Sequence, residues 1–365
     1  MEKEAHFLFK QKFRGDSGIR LKNGKILFFK LKSYYDIALF DEKTLQKLFE
    51  INLYEIIKEY IKEKQKENPE IKIKGYNEFN ENKNSIKELY DGSILIGRNN
   101  YLFVLNINEK NYSYKIIKEY DETILDINEL VDKRIIIITE EKIIILKREN
   151  KEYIIKEEYP IKEEWKMERL SERENDDFNQ YFKSELLPNN RLLLFSSSYE
   201  VCRYISRCVV GGRNSYYYKS KIIFIDLNNF EEIKSTEIFK EHANVILLKN
   251  EIFIQIKEQI IIYDINSLKV LSNHKFYDNC CLFYKFDDNY LISYPKCAVE
   301  DYNLFIYELK DKKLEKYFDI KSKIIEKLRF GLYSSLPNYN VSLFILRNKR
   351  IIIFNHSEMN LFELI

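Results

Sequence analysis

Between positions 201 and 221 the chain carries Arg203, Arg207, Arg213, Lys219 and Lys221 without one acidic residue, interleaved with Tyr204 and the run Tyr216, Tyr217, Tyr218. Cations spaced along one segment attract carboxylates or phosphates, and tyrosine rings beside them add flat faces and hydroxyls. Such a segment could grip an acidic peptide, a phosphate or a nucleic-acid strand. Its plainer reading is a solvated loop around Gly211 and Gly212 with its tyrosines packed locally. The glycine pair is no phosphate loop, because neither G-x-x-x-x-G-K-[ST] nor G-x-G-x-x-G occurs anywhere. A second candidate is Trp165, the only tryptophan, in the strongly charged stretch 160–186. It is either an exposed anchor of a binding hot spot or a pin for its own loop. The third is the apolar stripe Leu53, Ile56, Ile57, Tyr60, Ile61. It suits a helix that docks into a partner groove or, the preferred reading, one laid on the protein's own surface.

Residues suited to catalysis do not converge. The four histidines, His6, His242, His274 and His356, are scattered, with no H-E-x-x-H and no i, i+4 pair. His242 is better read as structural. Cys280 and Cys281 open an apolar run and suit burial more than reactivity. Asp176-Asp177 and Asp287-Asp288 are adjacent carboxylates, which on a strand point to opposite faces and suit turns. Ser196-Ser197-Ser198 lacks the G-x-S-x-G elbow of a nucleophile. No metal, cofactor or catalytic residue is expected.

Composition narrows the partners. Lys+Arg number 60 against Asp+Glu 58, a net charge of +2, so no global basic field holds a nucleic-acid backbone and any electrostatic site is local. The chain is 45% hydrophobic with 28 Tyr and 25 Phe, ample for a core in 365 residues. Five cysteines, odd in number and with one adjacent pair, resemble neither a disulfide framework nor a C-x-x-C metal site. A reducing cytosol, or the nucleus, is the natural compartment. The start shows no apolar core of a secretory signal, and no apolar run approaches the ~20 residues of a membrane helix.

The elements that must position these residues follow a repeated phrase. An Asp or Asn turn leads into two short apolar runs and then a third: Asp91 into 93–97, 101–105 and 114–117; Asp132 into 134–139, 143–146 and 153–155; Asn250 into 252–256, 260–263 and 268–271. Runs this short and this rich in Ile, Phe and Tyr are strands, and a fourth precedes each turn, at 124–130 and 244–248 for example. Four antiparallel strands per repeat is the blade of a β-propeller. Turn anchors at Asn23, Asp91, Asp132, Asn189, Asn250, Asp288 and Asn338 give seven blades, about 5–53, 85–120, 123–159, 182–239, 243–277, 281–320 and 324–365. The expected fold is all-β: one seven-bladed propeller domain over 1–365, with the stretch at 7–13 closing the ring beside 360–365. One helical insertion, 54–84, ends at Pro69 and a polar linker; the others are 160–181 and 201–221, the last splitting the fourth blade between its second and third strands.

The phrase resembles the WD40 class of propellers. Glu241-His242-Ala243, Asn250 and Tyr263-Asp264 look like that family's Gly-His start and Trp-Asp ending, and Phe40-Asp41, Leu105-Asn106, Ile225-Asp226 and Phe354-Asn355 stand where other Trp-Asp pairs would. The resemblance spans nearly the whole chain, with one His and no Trp-Asp. It implies that loops joining blade to blade, and second strand to third, lie on one face, often the partner-binding face. The insertions near 53–84, 160–186, 201–221 and 296–302 are then expected together. The expected function is a non-enzymatic scaffold that binds a protein partner through Arg203, Arg207, Arg213, Tyr216, Tyr217, Lys219 and Trp165. A nucleic-acid or phosphate-binding module using 201–221, and an enzyme with a site at the channel mouth, are the alternatives.

Overall fold

A computed structural model of the chain describes residues 5–12, 15–30, 36–69, 84–107, 111–150, 152–166, 177–204, 213–236, 243–248, 250–256, 259–275, 281–285, 290–295, 304–310, 313–320, 342–346, 350–355 and 358–364. Among them lie seven four-stranded sheets, paired antiparallel wherever the register is resolved. Strand β1 (Ala5–Lys12) stands apart in the sequence. The first sheet is β2 (Gly15–Arg20), β3 (Lys25–Lys30), β4 (Asp36–Asp41) and β5 (Lys47–Asn52), followed by helix α1 (Leu53–Glu67). The second is β6 (Asn84–Glu88), β7 (Ile94–Arg98), β8 (Tyr101–Ile107) and β9 (Tyr112–Glu119). The third is β10 (Ile124–Glu129), β11 (Ile135–Thr139), β12 (Lys142–Glu149) and β13 (Glu152–Pro160). The fourth is β14 (Asp177–Leu187), β15 (Arg191–Tyr204), β16 (Arg213–Asp226) and β17 (Glu231–Ser235). The fifth is β18 (Ala243–Leu248), β19 (Glu251–Ile256), β20 (Gln259–Asp264) and β21 (Val270–Lys275). The sixth is β22 (Cys281–Lys285), β23 (Tyr290–Pro295), β24 (Leu304–Lys310) and β25 (Lys313–Ile320). The seventh joins β26 (Ser342–Ile345), β27 (Arg350–Asn355) and β28 (Glu358–Leu364) to β1, which pairs with β28 from Ala5↔Leu364 to Lys12↔Glu358. By its contacts the chain forms two compact units, Met1–Asn82 with Ile246–Glu251 and Phe276–Ile365, and Lys83–Val245 with Ile252–Lys275.

Two turn designs write the repeat. Between first and second strands a leucine opens a tight hairpin. Leu89 N–H donates to Ser93 O (2.8 Å) and Gly92, at φ 83°, donates back to Leu89 O (3.0 Å). Leu130 and Lys133 (φ 68°) repeat this with Arg134, and Leu21 and Gly24 (φ 75°) with Lys25. Position four of the turn needs a left-handed backbone, so Gly recurs there. Asp91 supports its turn by accepting from Ser93 N–H (2.9 Å) and pairs with Arg148; burial opposes its charge, but the Ser93 bonds and Arg148 win and hold its carboxyl below the ordinary range. Between third and fourth strands an aspartate starts the turn and a buried apolar residue in left-handed conformation ends it: Asp41 to Leu45 (φ 53°), Asp226 to Phe230 (φ 57°), Asp264 to Leu268 (φ 56°). Each closing residue donates its N–H to the aspartate carbonyl at 2.8, 2.8 and 2.9 Å, and each carboxylate accepts backbone N–H groups inside the turn. The aspartates Asp41, Asp226 and Asp264, at the positions that resemble Trp-Asp endings, are thus turn formers.

The middle strands are buried on both faces. Every residue of β7 and of β11 is buried, whereas the fourth strands β9 and β13 are half-exposed or exposed. Neighbouring sheets sandwich these centres, which is why the runs read as continuous apolar stretches. Between the third and fourth sheets, Ile136, Ile138, Ile143 and Ile145 meet Leu192, Leu194, Ile223 and Ile225. Between the seventh and first sheets, Ile352, Met359 and Leu361 meet Phe28, Ala38 and Phe40. Cations tie adjacent sheets through turn carbonyls: Arg350 donates to Lys43 O (3.2 Å) and Glu42 O, Lys234 to Leu268 O (2.9 Å), and Arg191 to Asn266 O.

Helix α1 starts at the Asn52 cap, whose Oδ1 accepts from Glu55 N–H (3.2 Å), and Pro69 follows its end. Leu53, Ile56, Ile57 and Ile61 are buried, and α1 contacts β4. The stripe serves the protein's own first sheet, the preferred reading. No described helix is long and apolar enough to cross a membrane.

Three sequence expectations are corrected. The hairpin between β26 and β27 is closed by Leu346 N–H donating to Arg350 O (2.8 Å), so the seventh anchor lies after β26 and not at Asn338, which itself is outside the described residues. The fourth sheet begins at Asp177, inside the supposed insertion 160–181. The supposed loop 201–221 is strand at both ends, in β15 to Tyr204 and in β16 from Arg213. Asp288, His242, His356, Cys280 and the segments 70–83, 167–176 and 296–303 lie outside the described residues.

Candidate partner-binding ribbon

The fourth sheet is the unequal one. Strands β14, β15 and β16 run 11, 14 and 14 residues, but β17 only 5. β15 and β16 pair without a bulge from Arg191↔Asp226 to Tyr204↔Arg213, and β14 flanks β15 as far as Asp177↔Val201. β17 covers β16 only along Ile223–Asp226, with Thr236 bonding Ile222. Beyond that point a three-stranded ribbon continues from Lys221 to Tyr216, roughly 20 Å at ~3.3 Å per residue, and β15 and β16 alone run on as a hairpin to Tyr204↔Arg213. The Tyr and Ser content of 213–220 explains why strand persists here: aromatic residues favour the pleated state, and no proline interrupts it.

Register fixes the backbone partners of the site residues. Arg213, Tyr217 and Lys219 pair with Tyr204, Glu200 and Ser198. Arg203 and Tyr216 pair with Asn214 and Val201. The structure therefore brings five of the seven predicted residues to one ribbon. Arg207 lies outside the described residues. Lys221, part of the same basic run, is structural: its Nζ donates to Glu164 O at 2.7 Å.

Trp165 is not a surface anchor. It ends a single 3-10 turn, Glu163–Trp165, and is 1% exposed in the apolar cluster between the third and fourth sheets. Its indole N–H donates to Glu232 Oε2 at 2.8 Å, and Lys162 lies over its ring (5.3 Å). A tryptophan buries more surface than any other side chain, and here the connector folds back so that it can. The charges around it are matched: Lys162 pairs with Glu231 at 3.0 Å, and Lys166 pairs with Glu141 and Glu163, which hold its amine above the ordinary range.

A polar belt holds the ribbon's base. Ser184 on β14 donates its N–H (2.6 Å) and hydroxyl (2.8 Å) to Asp126 Oδ2 on β10, and Ser85 Oγ on β6 donates to Asp126 Oδ1 (3.0 Å). Asn128 Nδ2 donates to Ser184 Oγ (2.6 Å), and Lys87 Nζ to Asn128 Oδ1 (3.1 Å). The first strands of three successive sheets are thereby stapled. Both oxygens of Asp126 are committed, as suits a structural carboxylate. Sequence reasoning missed this belt; its signal was the shared polar spacing Ser85-x-Lys87 and Asp126-x-Asn128 in the first strands of successive sheets. Ser196, Ser197 and Ser198 are buried strand residues of β15. Among the described residues no three of His, Cys, Asp and Glu gather as metal ligands would.

No protein-family model matches the chain, and no curated protein sequence matches it. Among solved structures it is similar to dihydro-heme d1 dehydrogenase NirN in complex with DHE, at 12% identity and a TM-score of 0.45, over 85% of this chain and 67% of that one.

Proposed function

We propose that the seven sheets are the blades of one seven-bladed propeller, a distant relative of the WD40 class, and that the protein is a non-enzymatic scaffold working in a reducing compartment. Its binding element is the ribbon of the fourth sheet, and its partner is a protein with an acidic surface. The uniform up-and-down strand order and the β1–β28 pairing of chain start with chain end support the propeller. The observation that carries the function is the ribbon itself: an extension of one sheet alone, bearing Arg203, Arg213 and Lys219 with no acid between 201 and 221. A partner that meets cations carried on paired strands pays less ordering entropy than one that must order a loop.

The test is affinity capture on the immobilised full chain, with retained proteins identified by mass spectrometry. Acidic proteins held at low salt are expected to be released as salt rises, because exposed charges are screened. Arg203→Glu with Arg213→Glu is expected to abolish their capture. Its unfolding midpoint should match wild type within about 0.5 kcal/mol, the usual cost of surface substitutions. Equal capture by the charge-reversed protein would refute the reading, and retention of nucleic acid in place of protein would replace it with the nucleic-acid alternative.

A further inference from the structure

The outermost strand of every sheet carries one residue more than its neighbour. Between third and fourth strands the register slips once, and the extra residue is always on the fourth strand: Leu48 in β5, Ile117 in β9, Lys156 in β13, Ile233 in β17, Leu271 in β21 and Tyr317 in β25. In the seventh sheet the corresponding strand is β1, and the extra residue is Leu8, between Phe7↔Phe362 and Phe9↔Leu361. Second and third strands, by contrast, pair without a slip in β3–β4, β7–β8, β11–β12, β15–β16, β23–β24 and β27–β28. Such a bulge leaves one residue out of the ladder, bends its strand and adds twist. The turn between third and fourth strands is not its cause. β1 and β28 are far apart in sequence and no hairpin turn joins them, yet their pair has the bulge too. What the positions share is the outer edge of a sheet.

We infer that these bulges keep a second copy of this chain from adding its own outer strand to these edges. The fourth strands offer what such pairing would bury. No residue of β9, β13, β17 or β21 is buried, and Tyr112, Tyr114, Ile154, Ile233 and Val270 are exposed on them. Among the described residues each of these strands ends its sheet. A straight edge strand with apolar side chains is a template for another chain, and proline is one common block. None lies in β9, β17 or β21. Two edges join only where their unpaired N–H and C=O groups face each other in an even row. A bulge on each strand breaks that row and turns its two halves out of line. The molecule kept out is this chain itself, since two copies would bring edges of the same length, with the same apolar residues, against each other.

The experiment deletes Lys156 from β13 and Leu271 from β21 in the full chain, singly and together. Each deletion makes two existing pairs consecutive, Leu146↔Ile155 with Ile145↔Glu157 and Tyr263↔Val270 with Ile262↔Ser272, so the rest of the register stays as it is. Lys156→Ala and Leu271→Ala are the controls. They keep the extra residue while removing its side chain, including the ion pair of Lys156 with Glu149 (2.9 Å). Light scattering over a concentration series gives the mass, circular dichroism the fold, and hydrogen exchange the amides engaged. The unaltered chain and both alanine variants should remain single copies throughout. The deletion variants should fold and reach the mass of two copies or more as concentration rises, with amides of β13 or β21 slowing about tenfold or more in the associated form. Deletion variants that remain single copies overturn the inference. Unfolded deletion variants overturn it as well, since the bulge then holds its own sheet together. So does equal association of the unaltered chain or the alanine variants, and so does association that leaves the amides of β13 and β21 unprotected.

Discussion

Trp165→Ala is expected to destabilise the protein by about 3–5 kcal/mol, the range for emptying a large aromatic site. The residue is 1% exposed and sits among Ile143, Ile145, Ile161, Ile223 and Phe230, so little of the vacated volume is open to collapse or water. Such a loss is a large part of the 5–15 kcal/mol that ordinarily separates folded from unfolded chains. Trp165→Phe keeps most of the packing but leaves Glu232 without the indole donor, and should cost about 1–2 kcal/mol, a lost hydrogen bond to a charged group. Urea unfolding followed by circular dichroism gives both values. Because Trp165 is the only tryptophan, its emission also reports the site directly: blue-shifted when native, shifting red as the third and fourth sheets part. A Trp165→Ala protein of undiminished stability that had lost partner capture would restore the tryptophan as a surface anchor.

Gly97→Ala is the second large effect. A Cβ at this position of β7 would lie 2.6 Å from Ile124 Cγ2, 3.2 Å from Ile124 Cβ and 3.3 Å from Ile127 Cδ1. Ile124 cannot swing away easily. It is β-branched, fully buried and fixed by its N–H donating to Asn99 O at 2.6 Å. The second and third sheets must part locally, at about 1–3 kcal/mol for overpacking. Ile124→Ala removes the opposing methyl and alone should cost about 2–5 kcal/mol. The double variant is expected to be less destabilised than the sum of the two, a favourable coupling that only direct contact produces. Additive costs would show that Gly97 is needed for another reason.

How far the sequence carried follows from how local each signal was. The leucine hairpins at Leu89 and Leu130 and the aspartate turns at Asp226 and Asp264 are written in five consecutive residues, so the repeat was visible without tertiary knowledge. The helix at Leu53 was visible for the same reason, with cap, stripe and proline in order. The seventh anchor was misplaced because Asn338 and Asn348 are both turn-forming asparagines near apolar runs, and only strand pairing tells them apart. The ribbon was mistaken for a loop because glycines and cations usually mark loops, while the alternation that makes it strand depends on pairing with Ser197–Tyr204. The fate of Trp165 rested on Glu232, 67 residues further on, and no sequence window reports that contact. The belt of Ser85, Asp126, Asn128 and Ser184 spans three sheets and was equally hidden.

The central claim is that the partner sits on the ribbon of the fourth sheet. Zero-length coupling of lysine amines to carboxylates, applied to the captured complex and read by mass spectrometry, tests it most directly. The account predicts that Lys219 is the lysine joined to partner aspartates or glutamates. Coupling confined to Lys58 and Lys62 of α1, or to Lys115 and Lys118 of β9, with Lys219 untouched, would contradict it.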